Sequence, residues 1–138
     1  EIRTPTYTDC LNDCLAAVLA SDLRGIYHAG GPRALSLYQI AQIINRVGGY
    51  DPKLLMTMSR LEAGPIPPRA GNVSMDSSKL ARDLGYQPFD PWPYDDRFVP
   101  THEDWHYERP ADEPGSPELL AQVLYRNPLR RGAAAREF

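Results

Sequence analysis

Residues 25–49 read GIYHAGGPRALSLYQIAQIINRVGG, and how this stretch divides decides the fold class. Ile26-Tyr27-His28-Ala29 predicts a short strand, stopped by the turn Gly30-Gly31-Pro32. Ser36 is a good N-cap for a helix from Leu37 to about Val47. The expected apolar face of that helix is Leu37, Ile40, Ala41, Ile43, Ile44 and Val47, and Gly48-Gly49 terminates it. A short strand followed closely by an amphipathic helix is the α/β pattern.

Upstream, Thr8 or Asp9 is placed to start another helix. Leu11, Cys14, Leu15, Val18 and Leu19 recur in it at helical spacing, and Gly25 is the expected C′ residue. Downstream, Leu54-Leu55-Met56 predicts a short strand. The stiff turn Gly64-Pro65-Ile66-Pro67-Pro68 leads into Arg69-Ala70-Gly71-Asn72. Asp76 or Ser77 then caps a third helix that ends at Gly85. A last short helix is expected near 117–125, with Pro117 at N1 after Ser116 and Leu119, Leu120, Val123 and Leu124 as its apolar residues. Between these, Pro88, Pro91 and Pro93 around Phe89 and Trp92 suggest an extended segment whose aromatics bury on the body. Residues Arg130 to Phe138 lack apolar periodicity and are expected to be loosely held.

The composition shifts near Gly85. Residues 1–85 hold 6 of the 14 prolines, with 9 Lys+Arg against 8 Asp+Glu, whereas residues 86–138 hold 8 prolines and 6 Lys+Arg against 10 Asp+Glu. The expected organisation is a packed α/β portion over 1–88 and a Pro-rich, acidic and aromatic tail over 89–138. At 138 residues, one domain is the expectation. The net charge of −3 and pI near 5.6 argue against a nucleic-acid or anionic-membrane surface, which needs a basic footprint. No apolar run approaches a bilayer span, and two cysteines are too few for a disulfide scaffold. A cytoplasmic location is therefore expected. The chain opens at Glu1 without methionine, which suggests a piece of something longer.

Three constellations have chemical potential. Cys10 and Cys14 share a helix face, but the second pair of a metal site is missing; reduced thiols packed as small hydrophobes are the plainer reading. His102-Glu103-Asp104-Trp105-His106 matches H-E-x-x-H, which on a helix presents two imidazoles to zinc and a glutamate to its water. Against this zinc-hydrolase reading, Pro100 and Pro110 leave barely two turns of helix, and no third ligand is evident beyond Glu108, Glu113 or Glu118. Finally, Arg69 follows Pro67-Pro68, which fixes its approach. A guanidinium so held can offer a bidentate fork to phosphate oxygens; alternatively it pairs with a local acid. No G-x-G-x-x-G or G-x-x-x-x-G-K-[ST] loop is present.

Four runs, taken together, resemble the C-terminal part of the extended short-chain dehydrogenase/reductases, closest to the dTDP-4-dehydrorhamnose reductase-like sugar-nucleotide reductases and epimerases. They are Arg3-Thr4-Pro5-Thr6-Tyr7-Thr8-Asp9; Gly25 through Pro32; Ala34-Leu35-Ser36-Leu37-Tyr38; and Pro68-Arg69-Ala70-Gly71-Asn72 through Asp76-Ser77-Ser78-Lys79-Leu80 to Leu84-Gly85-Tyr86-Gln87-Pro88. The resemblance covers about residues 1–90. It implies the substrate-side portion of a Rossmann-type fold, with three or four helices, short strands and a Pro-rich tail. It also implies a parent enzyme that binds NADP or NAD and acts on a nucleotide-diphosphate sugar. Arg69 takes the place of an arginine that faces the diphosphate in related epimerases, and Asn72 and Arg3 are neighbours of the same pocket.

The departures are equally specific. No lysine stands four residues after any tyrosine, the glycine-rich turn is absent, and Ala70 stands where the family has proline. The cofactor site and the proton donor would therefore lie in a missing N-terminal Rossmann part or a partner chain, and this chain alone would be inactive. The competing expectation is a non-catalytic module of the same shape that uses the acidic, aromatic tail for protein contacts.

Overall fold

The computed structural model of the chain describes residues 1–68 and 70–126. The elements in order are β1 (Ile2–Arg3), α1 (Thr8–Leu19), β2 (Leu35–Ser36), α2 (Leu37–Val47), α3 (Ser78–Leu84) and α4 (Pro117–Leu124), with single 3-10 turns at Pro52–Leu54, Asp96–Phe98 and Trp105–Tyr107. The described residues thus form a mixed α/β structure of four helices and a two-stranded sheet. β1 and β2 pair antiparallel, Ile2 opposite Ser36 and Arg3 opposite Leu35, and Ile2 makes a parallel bridge to Asn72 on its other side.

α2 is the best-specified element. Ser36 Oγ accepts from the Gln39 backbone N–H at 3.0 Å, and Gln39 Oε1 accepts from the Ser36 N–H at 2.8 Å, a reciprocal capping box. Its buried stripe is narrower than the expected apolar face. Ile43 and Val47 are buried, whereas Leu37 and Ile44 reach the surface. Gln42 and Asn45 occupy buried positions instead, because loop carbonyls meet their amides: Asn45 Nδ2 donates to Asp51 O at 3.0 Å and Gln42 Nε2 to Glu103 O.

α3 and α4 end and begin at the expected residues. Asp76 Oδ1 accepts from Ser78 N at 2.9 Å at the start of α3, and Gly85 closes it at φ 78° in the left-handed region. Ser116 Oγ accepts from Leu119 N at 3.1 Å and Pro117 takes N1 of α4. α1 stops at Leu19, earlier than the expected Gly25. Ser21 Oγ donates to Val18 O at 2.8 Å and takes the carbonyl that another helical turn would have used.

Both expected inner strands are absent. Residues 26–29 join no ladder; side chains of the α3 region meet them instead. Lys79 Nζ donates to Ile26 O at 3.1 Å and Tyr27 Oη to Asp83 at 3.0 Å. Ile26 is 83% exposed. At Leu54-Leu55-Met56, Asp51 caps the 3-10 turn that starts at Pro52 and the segment runs over the surface, with Met56 82% exposed. A strand needs a neighbouring strand to take its N–H and C=O groups, and these two have none among the described residues.

The core combines Tyr7, Leu35, Ile43, Val47, Trp92, Trp105, Leu120 and Val123; a smaller cluster holds Cys14, Leu80 and Phe89. Trp92 and Trp105 are therefore built into the same interior as α2, and Phe89 into the smaller cluster. Tyr7 Oη accepts from Tyr94 N at 2.7 Å, and the Arg46 guanidinium lies 3.9 Å above the Trp105 ring. No helix of the described residues is long and apolar enough to cross a membrane. The stretch from Arg130 to Phe138 lies outside the described residues.

Candidate functional site

β1 is the meeting point of the motif runs. Its Ile2 N–H donates to Gly71 O at 2.7 Å, and Val73 N–H returns to Ile2 O at 3.2 Å. Leu37 N–H donates to Glu1 O at 2.9 Å, and Gly31 N–H to Thr4 O at 3.1 Å. Thr4 Oγ1 accepts from Met75 N–H at 3.2 Å, and Ser77 Oγ both accepts from Gly30 N–H and donates to Gly30 O at 2.8 Å. Segments separated by up to 71 residues are thereby tied into one junction.

Of the expected site residues, Arg3 and Asn72 lie at this junction on adjacent extended segments. Arg3 donates to Glu1 Oε2 at 2.8 Å and to Ile2 O at 2.8 Å, so its fork is engaged beside its own strand. Asn72 Oδ1 accepts from Ser74 N–H at 2.9 Å and shapes the turn that follows. Arg69 lies outside the described residues.

Beside β1 and β2 opens a cleft of about 330 Å³ lined by Glu1, Leu37, Tyr38, Ser59, Arg60 and Ile66 among others, within the size range of small-molecule sites. The sequence reading missed Arg60. Arg60 Nη1 lies 3.8 Å from where a Cβ on Gly71 would stand, which puts a cation beside the Gly71-Asn72 segment. The signal was a lone arginine between exposed apolar residues, with Leu61 93% exposed, just before the proline turn. Tyr38 also lines the cleft; burial, with Glu103 adding to it, pushes its hydroxyl above the ordinary tyrosine value.

The His102-Glu103-x-x-His106 stretch does not form the helical face that zinc requires. Only Trp105–Tyr107 is helical, for one 3-10 turn. His102 is exposed, with Nε2 3.1 Å from Glu108. His106 is 1% exposed, with Nδ1 3.3 Å from Gln42 Nε2 and its ring between Tyr38 and Tyr107. The two imidazoles have separate surroundings, and no group of three or more His, Cys, Asp or Glu among the described residues is placed to hold a metal. Cys10 and Cys14 are free thiols, and burial raises both above the ordinary value, as expected of packing cysteines.

The Gly30-Gly31 turn does not fit a dinucleotide. A Cβ on Gly31 would collide with Pro5 O, and one on Gly30 would stand 2.8 Å from Met75 Cβ. The space beside these glycines is filled by the chain itself, so they cannot cradle a pyrophosphate. Comparison with protein-family models, curated proteins and solved structures finds no match.

Proposed function

We propose that the chain is the nucleotide-sugar-binding portion of an NAD(P)-dependent sugar-nucleotide reductase of the extended short-chain dehydrogenase/reductase type, similar to the dTDP-4-dehydrorhamnose reductases. The observation that carries this reading is the junction at β1. The four resembling runs, scattered over residues 3–88, meet there through the Arg3–Leu35 strand pair and the Gly31–Thr4, Met75–Thr4 and Gly30–Ser77 hydrogen bonds, with Glu1 and Ile2 just before the first run bonding Leu37 and Gly71. Arg69, after Pro67-Pro68 in the sequence, is the proposed fork for the diphosphate, with Arg3 and Asn72 as proposed members of the same pocket. The unpaired segment 26–29 then finds its ladder in the sheet of the NAD(P)-binding part, which lies in the remainder of a cytoplasmic parent protein or in a partner chain.

This chain's share of the work is binding energy remote from the reacting carbon. Holding the diphosphate orients the sugar and is available to lower the barrier. Hydride and proton delivery belong to the other part in this reading, in keeping with a sequence that has no glycine-rich turn and no Tyr-x-x-x-Lys pair. The competing use of the tail as an interface would rest on Tyr94 and Tyr107, which are exposed, since Phe89, Trp92 and Trp105 are consumed in the chain's own core.

The test is calorimetric titration of a dTDP-sugar into the chain joined to its NAD(P)-binding part. Arg69→Ala is expected to weaken binding by about 1.5–3 kcal/mol, the worth of a charge-assisted pair. Unchanged affinity would remove the diphosphate role.

A further inference from the structure

A second cleft lies at the C-terminal end of α2. Arg46 of α2, Arg97, Arg109 and Glu113 line it, against an apolar wall that includes Phe98 and Leu119. In a chain of net charge −3, three guanidiniums on one small cleft need an explanation.

Arg97 is accounted for: it pairs with Asp95 at 2.8 Å and Glu113 at 3.5 Å. Arg46 and Arg109 are not, for neither forms an ion pair among the described residues. Arg46 Nη1 donates to Trp105 O at 3.1 Å while its plane stacks on the Trp105 ring, so the guanidinium is fixed in orientation. Arg109 reaches only Asn45 O, at a long 3.4 Å, and its Nε is buried with no partner. A buried N–H of a cation left unpaired is costly. Burial also pushes the Arg46 guanidinium below its ordinary value, against the opposing pull of Glu108 and Glu113. An anion in the cleft would stand against both guanidiniums.

The cleft has room for about 30 Å³, the space of roughly one or two waters. That admits a single small oxyanion and excludes a base or a sugar ring. Two guanidiniums without a direct ion pair, beside a Glu113 already shared with Arg97, match a group with several oxygens and close to two negative charges better than a carboxylate, which brings one.

We propose that the Arg46–Arg109 cleft, with Arg97 at its rim, is a binding site for a phosphoryl group, separate from the site proposed around Arg69.

The test follows the arginine Nε–H resonances of the full chain during titration with inorganic phosphate at constant ionic strength, with sodium chloride and sodium acetate as comparison salts. Saturable shifts of Arg46 and Arg109 with phosphate, much weaker with acetate and absent with chloride, are expected. Arg109→Gln should weaken the phosphate response about tenfold or more, while Arg33→Gln, whose partner is Asp96 at the surface, should leave it unchanged. If Arg109→Gln does not fold, the wild-type resonances decide alone. Equal shifts with chloride or acetate, no saturation, or shifts confined to residues 69–72 would overturn the proposal. Because no nucleotide sugar is used, this result is independent of binding at Arg69.

Discussion

Gly115→Ala should separate α4 from α2. The two helices meet where the chain after α2 passes the chain before α4. Ser116 N–H donates to Val47 O at 2.9 Å there, and Gly49 holds φ 73°. A Cβ on Gly115 would stand 2.6 Å from Gly49 N and 2.8 Å from Gly49 Cα, and would press on Arg46 O. All three are backbone atoms, so no rotamer change relieves the contact. Forcing an atom into a packed site costs about 1–3 kcal/mol, and backbone obstruction puts this case at the upper end. The stiffer unfolded chain returns about 0.4–1 kcal/mol, leaving a net loss of about 2 kcal/mol. With a urea m-value of about 1–3 kcal/mol per molar, the midpoint should fall by about 1 M. Gly71→Ala is the control. Its nearest neighbour would be Arg60 Nη1 at 3.8 Å, and it should change stability by less than about 0.5 kcal/mol. Urea unfolding of both variants is the assay. A Gly115→Ala protein as stable as the Gly71→Ala control would mean that α4 does not dock on α2 in this way.

Two further expectations concern helix starts. Ser36→Ala removes one half of the capping box with Gln39 and should lower stability by about 1 kcal/mol in the same assay, while Ser36→Asp should retain most of it. Asp76 accepts from the backbone and side chain of Ser78, which holds its carboxyl below the ordinary value of 3.8. The folded pKa is the lower one, so the stabilisation is present above about pH 4 and is lost as pH falls through the folded value. The urea midpoint of the wild type should therefore drop more steeply with acid than that of Asp76→Asn, and parallel curves would count against this turn at the start of α3.

The sequence alone determined the helices that carry their own punctuation. Ser36 with Gly48-Gly49, Asp76 with Gly85, and Ser116 with Pro117 mark ends whose hydrogen bonds close within a few residues, so local chemistry suffices. α1 is the instructive miss: Ser21 ended it before the glycine did, through one side-chain bond to Val18 O. Strands could not be read this way. Ile26–Ala29 and Leu54–Met56 have strand composition, but a ladder is a relation between segments, and the partners are not among the described residues. Tertiary structure decided the rest. It spent Gln42 on the Glu103 carbonyl and buried His106 away from His102. It set Arg60 over Gly71 and gathered Arg46, Arg97 and Arg109, distant in sequence, around one cleft. Burial and charge neutralisation depend on which segments meet in space, and no spacing along the chain encodes that.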